Sequence, residues 1–230
     1  MKKIGIIGGI GPESTLEYYK RIVYGYRKIT NDENYPQIFI NSINMNEMMN
    51  FLKVNDFDGL TLQLIKEIHK LEQIGAEYIA IASNTPHCVA DELKKKCSVP
   101  IISIVDETCS FARKNNLRKL LLTGTIFTMN NTFYQEALGN FGIECIVPDD
   151  EGKDAIFGII FPNLENGIII EKDKLAFMGI CEKIIAENKV DGLILGCTEL
   201  PLMVNQGDFA VKVLDTMEIH INGILQKIIG

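Results

Sequence analysis

Short unbroken runs of aliphatic residues alternate along this chain with longer stretches in which apolar positions return every three or four residues. The first pattern predicts buried strands and the second amphipathic helices. Runs at 3–8, 37–43, 78–82, 101–105, 118–122, 144–147, 192–195 and 211–214 read as strands. Between them, Leu16, Tyr19, Ile22, Val23 and Tyr26 mark one helix. Leu60, Leu64, Ile68 and Leu71 mark another over 57–74, which Gly75 stops. Further helices are expected over 86–96, after Asp106 as a cap, and over 130–141 before Gly142. Most of 151–188 reads as helix with a break near Asn166-Gly167, and Asp215 caps a closing helix through Ile219, Ile224 and Ile228.

Strands alternating with helices predict an α/β fold with parallel sheets covered on both faces. Two strand ends suggest an internal symmetry. One apolar run ends in Ser83-Asn84-Thr85, and another in Gly196-Cys197-Thr198-Glu199. Laid over each other, Ser83 falls on Cys197, Asn84 on Thr198 and Thr85 on Glu199. Together with Pro100, the similarity suggests two α/β lobes, residues 1–98 plus 208–230 and residues 99–207, with the closing helix returning to the first.

Composition narrows the function classes. Apolar residues are 47% of 230, enough for a sizeable core, yet no apolar run approaches the ~20 residues of a membrane-spanning helix. The amino terminus carries too short an apolar stretch for a signal peptide and runs into a Gly-Pro turn. A cytoplasmic protein with no membrane partner is expected. The net charge of −7, with lysines and acids interspersed and no basic stripe, argues against a nucleic-acid partner. The six cysteines show no CxxC spacing and do not cluster with His69, His87 or His220, so no metal site is expected.

The candidate chemistry lies at strand ends. Cys197 stands between a strand and the start of a helix, where unpaired N–H groups and a partial positive charge favour a thiolate. It reads as a nucleophile or a proton-transfer base, and the other five cysteines as core residues. Ser83 reads either as a helix cap, since Pro86 suits a first turn, or as a group in a site, with His87 as acid–base partner or support. Gly9-x-Gly11-x-x-Ser14 falls short of a dinucleotide fingerprint: its third position is serine, and no acid ends the second strand. It reads as a tight turn, or as a loop whose glycine N–H groups approach a carboxylate.

Four motifs, in order and in spacing, resemble the cofactor-independent aspartate/glutamate racemase family. They are Gly8-Gly9-Ile10-Gly11-Pro12-Glu13-Ser14-Thr15, Ser83-Asn84-Thr85-Pro86-His87, Gly124-Thr125-x-x-Thr128-Met129 and Gly196-Cys197-Thr198-Glu199. Asn55-Asp56-Phe57-Asp58 is similar to an acidic-aromatic turn of the broad amino-acid racemase subfamily, and the resemblance covers essentially the whole chain. It implies two pseudo-symmetric lobes with the active site in the cleft between them, and racemisation of an amino acid, a small-molecule substrate, without pyridoxal phosphate or other cofactor. It also implies a homodimer. Cys197 and Ser83 would face each other across the α-carbon as the two proton-transfer groups. Asn84, Thr85, Thr125, Thr128 and Thr198 would hold the α-carboxylate, and the Gly9-Gly11 turn would line the same cleft.

The chain departs from the family in two places. The first-lobe acid/base is commonly cysteine, and here it is Ser83, either native, as threonine is in some relatives, or an engineered replacement. A hydroxyl is a far poorer acid or base than a thiol, so racemisation is expected to be impaired or one-directional, with Cys197 acting on the L-isomer. The second departure concerns the distal side chain. Lys53 could meet a distal carboxylate, whereas Glu165 would repel one, leaving aspartate or glutamate and a neutral amino acid as rival substrates. Two other readings stand beside the racemase: a single-cysteine enzyme like arylmalonate decarboxylase, and a degraded amino-acid-binding protein.

Overall fold

The computed structural model describes all 230 residues and divides them into two compact units, residues 1–104 with 220–230 and residues 105–219. The first unit runs β1 (Ile4–Gly8), α1 (Pro12–Thr30), β2 (Ile38–Ser42), α2 (Met45–Lys53), α3 (Phe57–Gln73) and β3 (Tyr78–Ile81). A 3-10 helix (Thr85–Val89), α4 (Ala90–Lys96) and β4 (Ile101–Ile102) follow. From the unit boundary the chain continues through α5 (Ile104–Lys114), β5 (Lys119–Thr123), α6 (Ile126–Asn130), α7 (Phe133–Asn140), β6 (Glu144–Ile146) and α8 (Asp150–Ile160). A second 3-10 turn (Leu164–Asn166), α9 (Glu171–Asn188), β7 (Gly192–Leu195), α10 (Leu200–Met203), β8 (Lys212–Asp215) and α11 (Thr216–Ile229) complete it.

Each unit holds one four-stranded parallel sheet, ordered β2-β1-β3-β4 in the first and β6-β5-β7-β8 in the second. Counted from its own first strand, the second order repeats the first. β1 and β7 are buried along their whole length, which is why they read as continuous apolar runs and not as alternations. The strands β3 and β7 hold the same place. Ile81 pairs with Ile7 and Leu195 with Thr123. One residue later, Ala82 N–H donates to the Ile7 carbonyl at 2.9 Å and Gly196 N–H to that of Thr123 at 2.8 Å. Ser83 and Cys197 therefore leave their sheets at equivalent points, as the overlaid sequences suggest.

Several boundaries differ from the sequence pattern. On α1 the buried stripe is Tyr18, Ile22, Val23 and Tyr26, while Leu16 and Tyr19 are exposed. The strand expected at 101–105 has only two residues, because α5 starts at Ile104; Asp106 thus lies in its first turn and does not cap it. The helix expected at 130–141 is α7, which starts at Phe133, and the short α6 before it was not expected. The sequence pattern gave no sign of α2, which buries only Met48 and Leu52 and is capped by Asn44. Asp215 does cap the closing helix, accepting from the Glu218 N–H at 3.0 Å. No helix is long and apolar enough to cross a membrane.

Candidate active site

In the second unit the site is built on the exit of β7. Two buried threonines hold the carbonyls there: Thr123 donates to Ile194 and Thr216 to Leu195, each at 2.8 Å. The backbones of the two neighbouring strand exits run too close together for side chains. A Cβ on Gly196 would lie 2.5 Å from the Thr123 carbonyl oxygen, and one on Gly124 2.8 Å from that of Gly196. Only glycine fits such an approach. Cys197 is thereby delivered from a rigid platform.

The Cys197 thiol donates to Glu199 Oε2 at 2.9 Å, and the Thr198 hydroxyl donates to the same oxygen at 3.0 Å. All three residues are buried. Burial, then the Glu199 charge and its hydrogen bond, then Glu165, hold the thiol well above its ordinary range. This corrects the thiolate expected from a helix amino terminus. The helix α10 has only four residues, and the carboxylate at its start outweighs so short a dipole. Cys197 rests as a thiol with a proton acceptor in contact. Glu165, in the turn before α9, is itself pushed up by burial and by Glu199.

Thr125 caps α6, its Oγ1 accepting from the Thr128 N–H at 3.3 Å and lying 3.1 Å from the Thr128 hydroxyl. The two threonines are thus together, but with their hydroxyls turned to each other.

In the first unit Ser83, Asn84 and Thr85 are buried at the exit of β3. The residue in the cap position of the 3-10 helix is Asn84 and not Ser83, so Ser83 does not cap that helix. His87 Nδ1 lies 2.9 Å from the Ser83 carbonyl. Gly9 and Gly11 stand at φ +79° and +89°. A Cβ on Gly9 would meet the Ile43 carbonyl and, at 2.6 Å, the Ser42 hydroxyl. The Gly9 N–H already donates to Thr15 Oγ1 at 2.9 Å, and that hydroxyl donates to the Gly11 carbonyl at 3.1 Å. The turn is therefore internally braced. Lys53 is exposed at the end of α2, with Nζ 3.5 Å from Asn50.

Sequence reasoning missed the grip of Glu199 on Cys197 and the supports Thr15, Thr123 and Thr216. A carboxylate two residues from a cysteine was the available signal for Glu199. Of the other five cysteines only Cys109 and Cys181 are fully buried, while Cys88, Cys97 and Cys145 are half-buried; burial pushes Cys88 and Cys145 up to about 12 and raises Cys181 as well. No three His, Cys, Asp or Glu side chains are grouped to hold a metal ion.

The chain is similar to known proteins. The family model for Asp/Glu/hydantoin racemases matches residues 7–224. The broad specificity amino-acid racemase RacX of Bacillus subtilis (strain 168) is 26% identical over 216 residues, 93% of this chain and 92% of that protein. Among solved structures, an aspartate racemase homologue from Pyrococcus horikoshii OT3 is 41% identical, with TM-score 0.89 and full coverage of both chains. The Picrophilus torridus aspartate racemase, at 23% identity, shares the fold with TM-score 0.75 over 99% of this chain and 94% of that one.

Proposed function

The chain belongs to the Asp/Glu/hydantoin racemase family, and from that premise we propose that it is a cofactor-independent amino-acid racemase whose proton-transfer groups are Cys197 and Ser83. The observation that carries the assignment of Cys197 is its 2.9 Å contact with Glu199. A buried thiol is a poor base until its proton has somewhere to go. In this reading the thiol proton passes to Glu199, and the thiolate takes the α-proton of the L-isomer. The carbanion so formed then takes a proton from the Ser83 face. Asn84, Thr85, Thr198, Thr125, Thr128, Gly9 and Gly11 are the proposed surroundings of the α-carboxylate.

The Ser83 step is the weak one. A hydroxyl that protonates a carbanion becomes an alkoxide, which costs far more than a thiolate. Exchange of the α-proton at the Cys197 face is therefore faster than formation of the other isomer. The substrate is aspartate or glutamate by family. A neutral amino acid is the rival, because Glu165 beside Glu199 would repel a second carboxylate. The proposed enzyme is a cytoplasmic homodimer. Six free thiols suit a reducing compartment, and light scattering tests the dimer.

The test of the function is a panel of L- and D-amino acids in deuterated water, scored for α-deuterium and for isomer formation. Exchange that disappears in Cys197→Ala supports the racemase. Tight binding with no exchange points instead to a binding protein. Decarboxylation of an arylmalonate without amino-acid exchange points to a single-cysteine decarboxylase.

A further inference from the structure

Three rings from separate parts of the chain meet inside the first unit. Tyr18 comes from α1, His87 from the 3-10 helix after Ser83, and His220 from α11. Tyr18 and His220 pack edge to face with centroids 5.6 Å apart, and His87 and His220 likewise at 6.1 Å. Both histidines are buried. Each ring nitrogen has a partner that fixes where the proton sits. His87 Nδ1 faces the Ser83 carbonyl at 2.9 Å, which can only accept, so Nδ1 carries the proton. His87 Nε2 faces the Ile104 N–H at 3.3 Å, which can only donate, so Nε2 carries the lone pair. His220 is the opposite tautomer. Its Nε2–H donates to the Ile102 carbonyl at 2.8 Å, and its Nδ1 accepts from the Tyr18 hydroxyl at 2.7 Å. Burial lowers His87 to about 4 and His220 to about 3, so both rings are neutral at pH 7.

This geometry rules out one role for His87 and leaves another. Its ring touches the carbonyl of Ser83 and not the hydroxyl, and neither nitrogen is left for a substrate. It is not a general base. In the second unit, threonine hydroxyls hold the carbonyls just before Cys197. In the first, the turn at Ser83 has no capping side chain from Asn84, and an imidazole spans from Ser83 to the chain leaving β4. We infer that His87 is a positioning residue for Ser83: its neutral Nδ1–H tautomer, anchored on the Ile104 amide and braced by His220, fixes the Ser83 peptide and hence the direction of the Ser83 hydroxyl. The functional meaning of this inference rests on the racemase reading, whereas the tautomer does not.

Two measurements on the full chain test it. Long-range nitrogen-15 NMR of the imidazoles should show His87 protonated at Nδ1 and His220 at Nε2, both neutral from pH 6 to 8. A His87 ring protonated at Nε2, or averaging between tautomers, overturns the inference. The second measurement compares two amides. In His87→Asn the amide nitrogen replaces Nδ1 and can still reach Ser83. In His87→Gln the amide oxygen replaces Nε2 and can reach only Ile104. His87→Gln should lower kcat for isomer formation on the order of tenfold, with KM changed less than about threefold. His87→Asn should recover most of that loss, and exchange at the Cys197 face should persist in both. Equal losses in the two variants, or a loss carried in KM, overturns the positioning role. A wild-type chain with neither exchange nor isomer formation overturns the racemase reading and the positioning role with it. A wrong tautomer in an active enzyme overturns only the inference.

Discussion

Cys197 and Glu199 share one proton contact, Sγ to Oε2 at 2.9 Å, and Thr198 closes on the same oxygen at 3.0 Å. The carboxylate has two opposed effects on the thiol. It raises the pKa, which suppresses the thiolate at rest, and it accepts the proton that must leave for the thiolate to form. Glu199→Gln separates the two. Alkylation of Cys197 by iodoacetamide should reach half its limiting rate at a lower pH in the variant, because a charge that disfavours the thiolate is gone. Proton exchange should fall by on the order of a hundredfold, because the acceptor is gone as well. If alkylation shifts to higher pH instead, Glu199 does not control the thiol.

Ser83 occupies in the first sheet the place Cys197 occupies in the second, one residue past an N–H that bonds the neighbouring strand. Ser83→Cys should therefore restore a second thiol at an equivalent strand exit. Isomer formation should rise by on the order of tenfold or more in both directions, while exchange at the Cys197 face stays close to its wild-type rate. If two-way racemisation improves for no amino acid, the two-group mechanism does not apply to this chain.

The equivalence of Ser83 and Cys197 was legible because strand exits in parallel sheets leave a local signature: an apolar run that stops at small polar residues. Backbone topology then follows from the alternation of elements. What was not legible depends on direction in space. Glu199 falls on Thr85 when the strand ends are overlaid, so the overlay hides it, and its reach back to Cys197 exists because α10 begins right after it. The face of α1 was misread because Leu16 and Tyr19 keep helical spacing with Ile22 and Val23, and spacing alone does not say which of two adjacent apolar stripes is buried. Helix α2 buries too few residues to leave a period. His87 and His220 are 133 positions apart by subtraction, and nothing local announces that their rings meet.

Glu165 places a second acid in the field of Glu199 and Cys197. A substrate with a distal carboxylate would add a third. Removing one like charge from the site is worth on the order of tenfold in rate. Glu165→Gln should therefore raise kcat/KM for aspartate or glutamate about tenfold relative to a neutral amino acid of similar size. Steady-state racemisation with both substrates measures the ratio. An unchanged ratio means that Glu165 does not face the substrate's side chain.

The neutrality of His220 has a cost that appears only in acid. Its pKa is lowered from 6.5 to about 3, with burial as the main cause. Below pH 6.5 the unfolded chain binds a proton at this position that the folded chain refuses until about pH 3. The stabilisation from a neutral ring is therefore complete above pH 6.5 and is lost as the pH falls toward the folded value. By pH 4.5 the loss from this one group is about 3 kcal/mol. Carboxylates contribute to acid unfolding too, so the wild-type curve alone does not isolate it. His220→Gln does, because the amide nitrogen can keep the bond to the Ile102 carbonyl and the side chain does not titrate. Urea unfolding from pH 7.5 to 4.5 should show the wild type losing about 3 kcal/mol more than the variant. Parallel curves would mean that the ring takes up its proton in the folded state, which a Tyr18 hydroxyl bonded to Nδ1 and a carbonyl bonded to Nε2–H do not allow without breaking the first of these bonds.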